Sequence, residues 1–208
     1  SRQMWQHLWP GLAQDLVPIR SLTNGIHAPT WISPESSSLY AKYLSPDWAE
    51  RVDDPTIWQR VMDLPDDALW DARQTTRRKL MRFIRERARD GWIRGHLQPM
   101  QAIARGTLLD PEALTIGFAR RFATYKRATL LFRDLDRLKQ LLHNRWRPVQ
   151  IVFAGKAHPA DEPGRYFIHE VLSFCNDHKL GGHVAFLEDY DMHMAKYLVQ
   201  GVDIWLNT

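Results

Sequence analysis

From Ala113 to Thr208 short apolar runs alternate with amphipathic stretches, and this alternation restricts the fold more than any other feature. Leu114 to Ala119 reads as a buried strand, after which Leu131, Leu135, Leu138 and Leu142 mark one face of a helix. VQIVFAG, residues 149–155, is a second strand, and a helix is expected from about Gly164 to Cys175 with Phe167, Ile168, Val171 and Leu172 apolar. HVAFLEDY holds a third strand, MHMAKYLVQ a short helix, and VDIWLN a fourth strand. Strands alternating with helices through short loops predict parallel pairing with crossover helices. Residues 113–208 are therefore expected to be α/β, with a Rossmann-like parallel sheet.

Residues 1–112 read as a preceding, mostly helical region. A short helix and an extended piece are expected over residues 1–20. SLTNGIHAPTWISPESSSLY is rich in turn formers, Asn24-Gly25 predicts a turn, and Pro29 and Pro34 speak against a regular element. Several short helices are expected from Leu39 to about Gln101, and after Asp66-Asp67 the stretch ALWDARQTTRRKLMRFIRERARD has a mostly helical rhythm through Leu69, Arg73, Leu80, Ile84 and Ala88. Between Arg73 and Arg89 lie eight cations and a single acid, Glu86, which a solvated helix face explains; a surface facing an anion or polymer is the other reading. The start SRQMWQHLWP has no initiator methionine and the end GVDIWLNT completes a strand without a covering helix, so a piece of a longer protein is expected.

Ligands of such sheets sit beyond the C-terminal ends of the strands. Those exits carry ARRFATYKR, then Gly155-Lys156-Ala157-His158-Pro159, then Glu188-Asp189-Tyr190, then Asn207. The first holds Arg120, Arg121, Lys126 and Arg127 and no acid. Arg121 and Lys126 are the strongest candidates, because a guanidinium fork matches phosphate oxygens and an ammonium is a compact movable charge. Close to the following helix N-terminus they would add to a field that favours anions. Weak surface ion pairs with Asp134 and Asp136 are the competing reading. The GKAHP loop lacks the glycine run and the Ser/Thr of a phosphate-binding P-loop. Lys156 suits a sheet-edge carboxylate or a ligand anion equally, and His158 beside Pro159 reads as structural. Glu188 and Asp189 form a candidate carboxylate pair, with a helix-capping or loop role favoured for Asp189.

Several function classes recede on the same grounds. No His/Cys spacing suits a metal site. The first turn has no GxGxxG, which argues against a nicotinamide dinucleotide. No recognised module accompanies the basic helix, so nucleic-acid binding is not expected. No apolar run approaches the roughly 20 residues that span a bilayer. The single cysteine, Cys175, rules out an internal disulfide and points to a reducing cytosol, and the net charge of +4 suggests mild attraction to anions. The tryptophans near polar loops, Trp31, Trp48 and Trp92, suit core packing or stacking on sugars.

TNGIHAPTW (23–31), RRFATYKR (120–127), GKAHP (155–159) and FLEDY (186–190) occur in the order found in the α-glucan phosphorylases, and from about residue 20 onward the chain resembles the short prokaryotic type of that family. The resemblance implies a GT-B glycosyltransferase architecture with the active site in a cleft between Rossmann-like domains. It implies transfer of a terminal glucosyl residue of an α-1,4-glucan or maltodextrin to orthophosphate, giving α-glucose 1-phosphate in the cytoplasm, with a homo-oligomer as an assembly the resemblance allows. The cofactor implied is pyridoxal 5′-phosphate, whose phosphate exchanges a proton with the substrate phosphate; its lysine would lie outside this chain, so the 208-residue piece is expected to be inactive. By the same resemblance Arg121 and Lys126 hold the reacting phosphate, Asn24 and Tyr125 bind substrate, and Arg120 and Tyr190 approach the cofactor. Asn24 reads as readily as part of a bare Asn-Gly turn. Ala123, Asp191 and HAPTW depart from the animal and plant pattern and mark a divergent subgroup. A nucleotide-sugar-dependent GT-B glucosyltransferase and a non-catalytic glucan-binding module are the alternatives.

Overall fold

The computed structural model describes residues 1–95, 98–177 and 179–208. Helices α1 (Arg2–Trp5), α2 (Ala28–Trp31), α3 (Pro34–Tyr43), α4 (Pro55–Gln59), α5 (Asp66–Ile93) and α6 (Pro99–Ala104) precede the sheet. Strands β1 (Leu114–Ala119), β2 (Val149–Ala154), β3 (Val184–Leu187) and β4 (Ile204–Trp205) alternate with α7 (Leu135–Leu142), α8 (Glu162–Cys175) and α9 (Met192–Gly201). The four strands are parallel, in the order β3-β2-β1-β4. β1 and β2 pair over their full lengths, from Leu114 with Val149 to Ala119 with Ala154.

Alternation along the strands divides the core into two layers. Phe118, Ile151, Phe153, Val184 and Phe186 face Leu138, Leu142, Val171 and Cys175 of α7 and α8. Ala119, Val152, Ala154, Ala185 and Leu187 face Leu80, Met81 and Ile84 of α5 and Met194 and Leu198 of α9. A strand buried on both faces carries a continuous apolar run, as VQIVFA does. The α/β parallel sheet expected from sequence is present, and α5, from the preceding helical region, supplies half of one covering layer.

The N-terminal region departs from expectation at its prolines. Residues 66–93 form one helix of 28 residues, which contains the whole stretch whose rhythm is helical in the sequence. No glycine or proline interrupts that stretch before Gly91, and Leu80, Met81, Phe83 and Ile84 in its middle pack into the core layer against the sheet. At about 1.5 Å per residue it reaches roughly 42 Å. Pro29 and Pro34 do not prevent regular structure: each stands in the first turn of a helix, α2 and α3, where a missing N–H costs nothing. Ser33 caps α3 by accepting the Ser36 amide.

The basic run on α5 is not uniformly a solvated face. Arg77 is buried, and Arg73 and Arg77 both reach Asp203 at the start of β4. The tryptophans divide in the same manner: Trp48 is buried edge-to-face against Tyr40 and Trp58, Trp31 is half-buried, and Trp92 is exposed. No helix among the described residues is long and apolar enough to cross a membrane.

Candidate anion-binding site

β1, β2 and β3 step across the sheet in one direction, whereas β4 joins the far side of β1. The strand order therefore reverses between β1 and β4, and in open α/β sheets ligands bind beyond the C-terminal ends of the strands at such a reversal. The cationic turn after β1 lies at that place.

Backbone contacts fix the turn. The Arg120 amide donates to Ala154 O at 3.3 Å and the Phe122 amide to Lys156 O at 3.0 Å, so the β1–β2 pairing continues past the strands. Phe122 drives its ring into the core, with centroids 5.8 Å from those of Phe118 and Phe186. Two glycines let the surrounding backbone close in. A Cβ on Gly155, whose φ is +149°, would stand 2.0 Å from Arg120 O, and one on Gly164 would stand 2.5 Å from Phe122 O. Past Phe122 the chain makes one 3-10 turn, Thr124–Lys126, and ends it with Arg127 in the left-handed region at φ 46°. A non-glycine residue there is uncommon and is held only by a well-determined surrounding.

With Phe122 anchored inward, Arg121, Tyr125 and Arg127 are exposed and Arg120 and Lys126 half-buried. Lys126 Nζ lies 4.9 Å from the Tyr125 ring centroid, so these two candidate residues are brought together. Arg120 Nη1 donates to Thr208 O at 3.1 Å, and the Thr208 hydroxyl donates to Lys126 O at 2.8 Å. The β4 exit is thus latched to the turn across the reversal point. Sequence reasoning missed Thr208, and no local signal marks a partner 82 residues away.

The ion pairs with Asp134 and Asp136 do not form. Among the described residues no carboxylate pairs with Arg120, Arg121, Lys126, Arg127 or Lys156. Asp134 instead caps α7, accepting the Arg137 amide at 3.0 Å. Asp161 and Asp191 cap α8 and α9 through the Gly164 and Met194 amides at 2.9 and 2.7 Å. The helix N-termini next to the strand exits are therefore occupied by their own carboxylates. The expected help from the helix after β1 is absent, since α7 starts only at Leu135 and is already capped. Attraction for an anion comes from the side chains of the turn.

The other candidates stand apart. Tyr190 packs against the core layer under α5 and α9, beyond β3, and burial pushes its hydroxyl above the ordinary phenol range. β2 separates that exit from the cationic turn. Asn24 lies in exposed irregular chain, and among the described residues no hydrogen bond joins it to the turn. Its segment is tied to α9 by Gln200 Nε2, which donates to Trp31 O at 3.2 Å. Asp189 adopts a left-handed loop conformation at φ 57°, and the cap of α9 is Asp191, whose carboxyl is held below its usual range by the Met194 amide. Glu188 forms an ion pair with Arg105 at 2.5 Å. His158 Nδ1 accepts the Ala160 amide at 3.1 Å, a structural use.

No protein-family model matches the chain. Its whole length is 42% identical over 207 residues to a glycogen phosphorylase of Aquifex aeolicus, of which it spans 30%. It is 42% identical over 207 residues to a glycogen phosphorylase of Mycobacterium tuberculosis and 39% identical over 208 residues to a maltodextrin phosphorylase of Thermococcus litoralis, spanning 24% of each. The chain thus spans 24–30% of the length of these relatives. From end to end, the chain corresponds to one segment of the glycogen and maltodextrin phosphorylase family.

Proposed function

We propose that the chain forms the phosphate-binding side of the cleft of an α-glucan phosphorylase, an enzyme that moves the terminal glucosyl unit of an α-1,4-glucan to orthophosphate. The observation that carries this reading is the cationic turn: four basic residues at the strand-order reversal, with no paired carboxylate among the described residues. Unneutralised cations held by a rigid backbone attract a dianion without first breaking an internal pair. Arg121 offers a planar fork to two phosphate oxygens, and Lys126, steadied over Tyr125, supplies a point charge beside them. Cleavage of the glycosidic bond builds positive charge on the sugar, so a phosphate kept close and oriented lowers the barrier.

The same chemistry suits pyridoxal phosphate. Two phosphate groups brought together repel, and a turn rich in cations and free of acids offsets that repulsion. Arg120, half-buried and tied to Thr208 O, is the residue of this chain that would hold the cofactor phosphate, with Tyr190 farther along the same sheet edge. When bound, the cofactor supplies a phosphate able to exchange a proton with orthophosphate. Asn24 would fix a glucose hydroxyl and Tyr125 would line the substrate phosphate. The fully buried thiol of Cys175 is consistent with a cytoplasmic setting.

The test uses the polypeptide that carries this segment, given maltoheptaose and orthophosphate with and without pyridoxal phosphate. Glucose 1-phosphate that requires the cofactor is the expected product. Transfer from UDP- or ADP-glucose without phosphorolysis would replace this reading with a nucleotide-sugar transferase that uses the same turn for a diphosphate.

A further inference from the structure

We infer that Thr208, at the exit of β4, is a positioning residue for the phosphate turn: its hydroxyl holds the Lys126 end of the turn, so that the ammonium keeps its place for a bound phosphate. The turn is anchored at its start by the Arg120 and Phe122 amides and the buried Phe122 ring, and again at Ala128, which is buried. Between these anchors residues 123–127 project outward, with Thr124, Tyr125 and Arg127 exposed. Their own backbone bonds are local: the Lys126 amide donates to Ala123 O at 2.9 Å and the Arg127 amide to Thr124 O at 3.3 Å. Among the described residues, the hydrogen bonds that reach this stretch from a distant element come from Thr208. Its hydroxyl donates to Lys126 O at 2.8 Å and stands 3.5 Å from Arg127 O.

The latch falls where the backbone needs it. Arg127 is held at φ 46°, a left-handed conformation that a residue with a Cβ keeps only when its surroundings oppose relaxation. The cost of that conformation is similar in size to what one hydrogen bond returns, so a single bond beside it is enough to hold the shape. The donor is itself fixed. The Leu206 amide donates to Gly117 O at 2.8 Å, tying the β4 exit to β1, and Arg120 Nη1 donates to Thr208 O at 3.1 Å. Thr208 thus holds Arg120 through its carbonyl and Lys126 through its hydroxyl, and a side-chain substitution releases only the second. Lys126 feels that release because an ammonium is a point charge on a flexible four-carbon stem, placed by the backbone that carries it. A small displacement of a group that orients a phosphate costs reaction rate steeply. The hold on the turn stands on these bonds; its part in phosphorolysis rests on the function proposed above.

The probe is orthophosphate, titrated calorimetrically into the polypeptide that carries this segment. Thr208→Val removes the hydroxyl at nearly constant shape, and Thr208→Ser keeps it. Thr208→Val should bind orthophosphate about fivefold more weakly, the size of one neutral hydrogen bond, and Thr208→Ser should stay within about twofold of the parent. In an Arg121→Ala background the loss on Thr208→Val should persist; in a Lys126→Ala background it should vanish, because the hydroxyl acts through Lys126. A general loosening of the fold would lower affinity in both backgrounds. Equal affinities in Thr208→Val and Thr208→Ser, a loss that persists without Lys126, or absence of orthophosphate binding by the parent overturns the proposal. Binding that depends on Thr208 through Lys126 in a polypeptide without phosphorolysis would leave the latch standing and remove the catalytic reading. Phosphorolysis indifferent to Thr208→Val would do the opposite.

Discussion

Arg77 Nη1 donates to Asp203 Oδ2 at 3.2 Å, and that same oxygen accepts the Thr115 amide at 2.8 Å. Only 4% of the Arg77 side chain and 16% of the Asp203 side chain are exposed. Arg73 completes the arrangement, reaching Asp203 Oδ1 at 3.0 Å and the carbonyls of Gln200 and Gly201 at the end of α9. One carboxylate thus ties α5 to the starts of β1 and β4, at the opposite edge of the sheet from the cationic turn. Removing one partner of a buried pair leaves the other charge uncompensated. Arg77→Ala is predicted to cost about 3 kcal/mol in urea unfolding, and Arg73→Ala, at a more exposed position, clearly less. Equal and small losses at both positions would show that the pair is not a structural tie.

Gly155 makes the phosphate turn sensitive to a single methyl group. Its φ of +149° and the 2.0 Å separation between a built Cβ and Arg120 O leave no room for a side chain. The obstructing atom is backbone, so relief requires the β1 and β2 exits to part. Gly155→Ala is predicted to destabilise by at least about 2 kcal/mol and to weaken orthophosphate binding together with stability. Native-like stability in that variant would contradict the close approach.

Cys175 gives the fold a dependence on alkaline pH. Burial pushes its thiol from the usual 9.0 up to about 12. The folded state keeps the thiol neutral while the unfolded chain ionises above pH 9. This contribution is therefore complete below pH 9 and is lost as pH rises toward about 12, at up to about 1.4 kcal/mol per pH unit. Urea unfolding of the protein and of Cys175→Ala at pH 9 and pH 10 isolates the effect, because other groups titrate equally in both. The protein should lose about 1 kcal/mol more than the variant over that interval; parallel losses would mean the thiol is accessible.

The sheet was legible because each strand announces itself locally. Leu114–Ala119 and Val149–Ala154 are apolar runs bounded by turns, and parallel strands buried on both faces need such runs. The placement of Arg121 and Lys126 beyond β1 followed from topology. What the sequence hid depends on distant partners. Arg77 looked like one more cation on a basic helix until Asp203, 126 residues away, took it inside. Pro29 and Pro34 read as breakers because proline favours turns and first helical turns alike, and only tertiary packing chooses. Asp189 and Asp191 are equally plausible caps in isolation; the left-handed backbone at Asp189 leaves that role to Asp191. Thr208 could not be matched to Lys126 before the strand order was known.

The central claim is that the turn after β1 binds a phosphate dianion through side chains that have no carboxylate partner among the described residues. Isothermal titration of orthophosphate into the protein, with Arg121→Ala and Lys126→Ala alongside, tests it most directly. Each substitution should weaken binding by about tenfold or more. Neither should change the unfolding free energy by more than about 0.5 kcal/mol, since no ion pair among the described residues is broken. Affinity in the protein should also fall with added salt. Phosphate binding that survives both substitutions, or a loss of stability that accompanies them, would contradict the account.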